Sequence, residues 1–88
     1  MRKITYIPVS SLEPVEFHVA EKEVTLEFLQ ALVSGYIERV PVRQSYNRKK
    51  ATIWCNEEGR LIGLTHNRCA SRLFGIELVG PVVIDQVT

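Results

Sequence analysis

Residues 65–75 read T-H-N-R-C-A-S-R-L-F-G and crowd Thr65, His66, Asn67, Arg68 and Arg72 around the start of a short apolar-periodic run. Read as a helix from about Asn67 to Phe74, capped by Asn67 or Thr65 and ended by Gly75, the run sets Arg68 and Arg72 one turn apart on one face. Like charges at that spacing repel by roughly 0.2–0.5 kcal/mol, and Arg68 sits near the positive end of the helix dipole. Local helix physics therefore opposes the arrangement. A phosphate or carboxylate docked there reverses both penalties, because amide N–H groups, dipole and guanidinium forks all favour an anion. The competing reading pairs Arg68 with Glu57 or Glu58 of the preceding turn and leaves Asn67 as a cap alone.

A second cationic stretch comes earlier. Residues 39–50 hold Arg39, Arg43, Arg48, Lys49 and Lys50 around Tyr46 with no acidic residue, in a chain whose overall charge is only +1. That small total argues against a protein that coats nucleic acid with its whole surface. Locally, basic side chains beside an aromatic can hold phosphates and stack a base, so Arg43, Tyr46, Arg48, Lys49 and Lys50 are candidate phosphate contacts on a mobile flap over the Asn67 site. The plainer reading is a solvated hairpin loop whose charges maintain solubility.

Catalytic and metal chemistry are hard to build from these residues. His18 and His66 are the sole histidines, and His66 near Cys69 is the one nucleophile pairing visible in the sequence. The spacing of Cys55, His66 and Cys69 matches no standard zinc finger or ribbon, and Gly59 and Gly63 match no Walker or dinucleotide motif. The expectation is a protein that is not an enzyme, with no metal and no cofactor. Trp54 is expected in the core or on the sheet surface.

The elements that must position these residues can be read in outline. Residues 3–9 and 15–20 alternate as two strands of an opening hairpin joined by S-S-L-E-P, with Pro8 and Pro14 suggesting edge positions. A helix follows with Thr25 as cap, Val24 and Leu29 as a hydrophobic staple, and Gly35 as the left-handed residue past its end. Its expected apolar stripe is Leu26, Leu29, Leu32, Val33 and Tyr36. Residues 36–42 return to strand character, and N-E-E-G at 56–59, with Gly59 left-handed, should fold 51–56 onto 60–64 as a hairpin. G-P-V-V-I-D-Q-V supplies a last strand. The pattern predicts an α+β fold: a small antiparallel-rich sheet with one main and one short helix, in the order ββαββαβ, the helices on one face.

Eighty-eight residues suffice for one domain, residues 1–88, that buries about 60–65% of its unfolded surface. There is no run of about eighteen apolar residues and no signal-peptide pattern at the N-terminus, so the expected location is the cytoplasm, with Cys55 and Cys69 as reduced thiols.

Residues 56–84 carry a further signal. Glu58, Gly59, Leu61, Gly63, Leu64, Asn67, Arg68, Ala70, Gly80 and Val82 stand where an acidic turn, Gly-Leu, Asn-Arg, a small residue and Gly-x-Val recur in the domain of unknown function 3846 family, which the chain resembles from about Thr25 onward. The helix followed by Gly-Tyr-Ile-Glu at 35–38 fits the same family. Thr65 and His66 depart from it, since members often carry Pro after the Gly-Leu. The resemblance implies a small protein of bacteria, phages or mobile elements and brings no established activity.

Taken together, the expected function is binding of a nucleotide-like anion by Asn67, Arg68 and Arg72 beside Thr65 and His66. One alternative is a protein-interaction module, such as an inhibitor of a host enzyme or defence complex, with an acidic surface of Glu13, Glu16, Glu21 and Glu23. Another is nucleic-acid binding through residues 39–50. An exposed-edge sheet this small should self-associate, most simply as a homodimer.

Overall fold

The computed structural model describes residues 1–10 and 13–88; the middle of the predicted S-S-L-E-P connector, Ser11 and Leu12, lies outside them. Strands β1 (Arg2–Ile7) and β2 (Val15–Val19) form the opening hairpin, with Arg2 opposite Val19 and Tyr6 opposite Val15. A 3-10 turn at Glu21–Glu23 leads into α1 (Leu26–Val33), then β3 (Ile37–Arg39). A small hairpin, β4 (Ser45–Tyr46) and β5 (Lys49–Lys50), precedes β6 (Thr52–Asn56), α2 (Arg68–Phe74) and β7 (Val82–Val87). The main sheet has five strands in the order β2-β1-β7-β6-β3, every pair antiparallel. The fold is α+β.

The C-terminal strand is the middle of the sheet. Its run V-V-I-D-Q is buried from Val82 to Gln86 because successive side chains enter two different cores. Val83 joins Ile4, Leu29 and Val33 beneath α1, while Val82 and Ile84 join Ile7, Ile53, Cys55 and Ala70 beneath α2. The helices thus cover opposite faces, which corrects the one-face expectation. The alternation in β7 is apolar on both parities, as a strand covered on both sides requires.

Thr25 caps α1, its Oγ1 accepting from the Phe28 amide at 3.2 Å. Leu29 and Val33 are buried and Phe28 and Leu32 flank them, whereas Leu26 and Tyr36 of the expected stripe are exposed. Leu26 lies about 90° round the helix from the centre of the face formed by Phe28, Leu29, Leu32 and Val33. At the other end the left-handed residue is Ser34 (φ 64), not Gly35. Asn56 closes this end from across the sheet, its Nδ2 donating to the carbonyls of Val33 (3.0 Å) and Ser34 (3.3 Å). Gly35 is needed for closeness, since a Cβ there would stand 2.7 Å from that Asn56 nitrogen.

Three further expectations are corrected. Pro8 ends β1, which is an interior strand, so only Pro14 borders an edge. Residues 60–64 do not pair with β6, whose two sides are already taken by β3 and β7. Instead they coil back through bonds such as Ile62 N to Glu58 O (2.9 Å) and Leu64 N to Gly59 O (2.8 Å). The positive φ in this turn belongs to Gly63 (73°) rather than Gly59.

Candidate functional site

The segment 65–67 is fastened to 78–80 before α2 begins. Asn67 N donates to Leu78 O at 2.8 Å, Gly80 N to Thr65 O at 2.7 Å, and His66 forms a bridge with Val79. Asn67 itself is fully buried. Its Oδ1 accepts from Ala70 N (3.0 Å) and its Nδ2 donates to Ile7 O (2.8 Å) and Gly80 O (2.9 Å). Both amide donors and one acceptor position are therefore engaged, tying the start of α2 to the end of β1 and the start of β7. Asn67 is a cap and a staple, and the sequence-derived ligand set loses it.

Arg68 and Arg72 differ from it in every respect. Both are exposed, and among the described residues neither forms an ion pair, so the pairing of Arg68 with Glu57 or Glu58 is not made. They line a cleft of about 260 Å³ with Tyr46, Pro14, Cys69 and Leu73. The Tyr46 ring also packs against Phe74 with centroids 6.5 Å apart. Burial pushes the Tyr46 phenol above its ordinary range, and the negative charge of Glu16 adds to the shift. Glu16 is held by Lys3 at 3.5 Å.

The expected flap is an anchored hairpin. Asn47 (φ 51) and Arg48 (φ 65) are the two left-handed residues of a two-residue turn between Tyr46 and Lys49. Gln44, which the sequence did not single out, fixes its base: Nε2 donates to Val40 O (2.9 Å) and Val42 O (2.8 Å), while Oε1 accepts from Ile53 N (2.9 Å). Gln86 Nε2 donates to Tyr46 O at 3.0 Å, holding the hairpin over the central strand. Tyr46 alone of the expected flap residues reaches the cleft. Arg43, Arg48, Lys49 and Lys50 are exposed outside it, as are Thr65 and His66.

A larger cleft of about 350 Å³ lies between the 56–61 turn and residues 76–79. Glu38, Glu57 and Glu77 line it, and Arg60 is already engaged with the Glu77 carbonyl at 3.0 Å. Its acidic lining disfavours an anion. Cys55, at its base, is pushed up to about 11 by burial and then by the charge of Glu38, so this thiol stays protonated and unreactive. Among the described residues no three His, Cys, Asp or Glu side chains gather in a metal-binding group, and no helix is long and apolar enough to cross a membrane.

The α1 face holds its charge differently. The Asp85 carboxylate, nearly inaccessible, takes a two-pronged contact from Arg2, Nε to Oδ1 at 2.8 Å and Nη2 to Oδ2 at 2.5 Å. Arg2 also reaches Glu21 at 3.2 Å. The hydrogen bond to Asp85 holds the guanidinium proton more tightly than usual. Two glutamates of the acidic surface expected for a protein partner, Glu16 and Glu21, are thus engaged within the chain.

The architecture is that of a small α+β protein with a helix on each face of an antiparallel sheet and an open cationic cleft beside the second helix. A family model described as domain of unknown function (DUF3846) matches residues 4–87, and the chain belongs to that family. The match includes the opening hairpin, which lies outside the motif-bearing segment from Thr25 onward. Searches of curated proteins and of solved structures gave no match.

Proposed function

We propose that this protein binds, without chemical turnover, an anionic ligand of mononucleotide size in the cleft between α2 and the β4–β5 hairpin. The observation that carries the reading is the pair Arg68 and Arg72: two guanidinium groups one turn apart, in no ion pair among the described residues, opening on the same cleft as an aromatic ring. Guanidinium groups match phosphate oxygens in pairs, and the Tyr46 ring offers a planar surface to a base. About 260 Å³ lies just under the roughly 300–1,000 Å³ usual for small-molecule sites, which favours one nucleotide unit over a dinucleotide. Two free thiols suit a reducing compartment such as the cytoplasm. A phage or mobile-element setting rests on the family resemblance alone.

A thermal-shift screen with inorganic phosphate, nucleoside mono- and diphosphates and a short oligonucleotide, at two salt concentrations, tests the reading. A ligand at 100 times its Kd adds about 2.7 kcal/mol, several degrees in Tm for a chain of this size. The shift should vanish in both Arg68→Ala and Arg72→Ala. A response confined to the oligonucleotide, steeply salt-dependent and abolished by changing Arg48, Lys49 and Lys50, would assign the protein to nucleic-acid binding instead.

A second reading, a protein-interaction module, is favoured by Tyr36, Leu61 and Ile62, exposed by 62%, 83% and 58%. Tyr36 and Ile62 line one shallow pocket with Glu58. Binding of a host protein that survives Arg68→Ala and fails in Leu61→Ser would support it.

A further inference from the structure

The outer side of β2 has no strand beside it among the described residues. On the α1 face this edge presents Val15, Phe17 and Val19; on the other it presents Glu16 and His18. Val15 is 51% exposed, and the Glu16 side chain 48%. An exposed edge of this kind is a template for another strand. We propose that its occupant is the same edge of a second copy, paired antiparallel about a two-fold axis through Phe17.

The register follows from side-chain complementarity. Centred on Phe17, the pairing sets Glu16 against the partner's His18 and His18 against the partner's Glu16, two carboxylate–imidazole contacts made by symmetry, each an acceptor opposite a ring that carries an N–H donor. On the other face Val15 meets the partner's Val19, and Phe17 meets its own copy, so the apolar layer under α1 runs on across the axis. Moving the centre to Glu16 puts two carboxylates face to face, and moving it to His18 faces histidine with histidine and removes the glutamate contacts. The opposite edge of the sheet offers no such match: β3 has three residues, and pairing about its centre opposes Glu38 to Glu38. In the Phe17 register Pro14, a wall of the cationic cleft, falls opposite the partner's Ala20, so the second copy stands at the mouth of that cleft.

Sedimentation analysis at millimolar concentration should give about 20 kDa, twice the chain mass of 10.0 kDa. His18→Glu is the decisive variant. Within its own chain the introduced carboxylate stands opposite Lys3, which favours the fold, while across the axis it faces the partner's Glu16. Association should weaken about tenfold or more. Adding Glu16→Lys to the same chain sets opposite charges across the axis and should restore the dimer. Mixing Glu16→Cys with His18→Cys, both in a Cys69→Ser background, should give a disulfide-linked heterodimer. A 10 kDa wild type, a His18→Glu protein that associates as tightly as wild type, or a charge-swapped protein that stays monomeric would each overturn the proposal.

Discussion

The two faces of the sheet handle charge in opposite ways. Beneath α1 the buried Asp85 is matched by Arg2 through two contacts, and the guanidinium is further shared with Glu21. Beside α2 the cations Arg68 and Arg72 form no ion pair among the described residues and border a cleft with an aromatic wall. Among the described residues the same face carries two buried polar atoms without a hydrogen bond, Thr5 Oγ1 and Gln86 Oε1, and Trp54 Nε1 is another under α1. A face that has matched its charges is scaffold; a face that leaves two guanidinium groups unmatched has room for a ligand to match them.

Neighbouring residues show the contrast most sharply, and substitutions can break it. Asn67→Ala should be the most damaging change, costing roughly 3–4 kcal/mol, because it removes a cap and strands two buried carbonyls. Chemical denaturation would measure it. Asp85→Ala should cost about 2 kcal/mol, held below a fully buried pair because Arg2 can still turn to Glu21 and to water. Arg48→Gly should stabilise by about 1 kcal/mol by relieving a left-handed non-glycine residue, with no effect on the cleft. Arg68→Ala should change stability by less than about 0.5 kcal/mol, since it removes a like-charge neighbour from an exposed site. A loss of about 2 kcal/mol or more on Arg68→Ala, the size expected for a buried partner, would place that residue with the scaffold and dissolve the contrast.

Much of the scaffold could be read from sequence because its signals are local. Thr25 before an apolar period, Asn67 before a second one and Gly75 after it mark helix ends whatever the rest of the chain does. What escaped depends on contacts between distant residues. Asn56 closes α1 from 22 positions away, and Gln44 ties a polar loop into a hairpin through three bonds to backbone. The 60–64 stretch reads as a strand in isolation, and only the occupied sides of β6 forbid it.

For the site, the helix spacing of Arg68 and Arg72 was visible in the sequence; that neither forms an ion pair among the described residues was not. Asn67 looked like their companion because a buried cap and a ligand contact call for the same side chain.

The most direct measurement is a 15N-correlated NMR titration of the wild-type protein with inorganic phosphate and with nucleoside monophosphates. Binding in the α2 cleft should give progressive, saturable shifts of Tyr46, Arg68, Cys69, Arg72 and Leu73, with Glu57, Leu61 and Glu77 unmoved and no response in Arg68→Ala. Shifts centred on the 57–62 turn instead, or none with any of these anions at millimolar concentration, would contradict it.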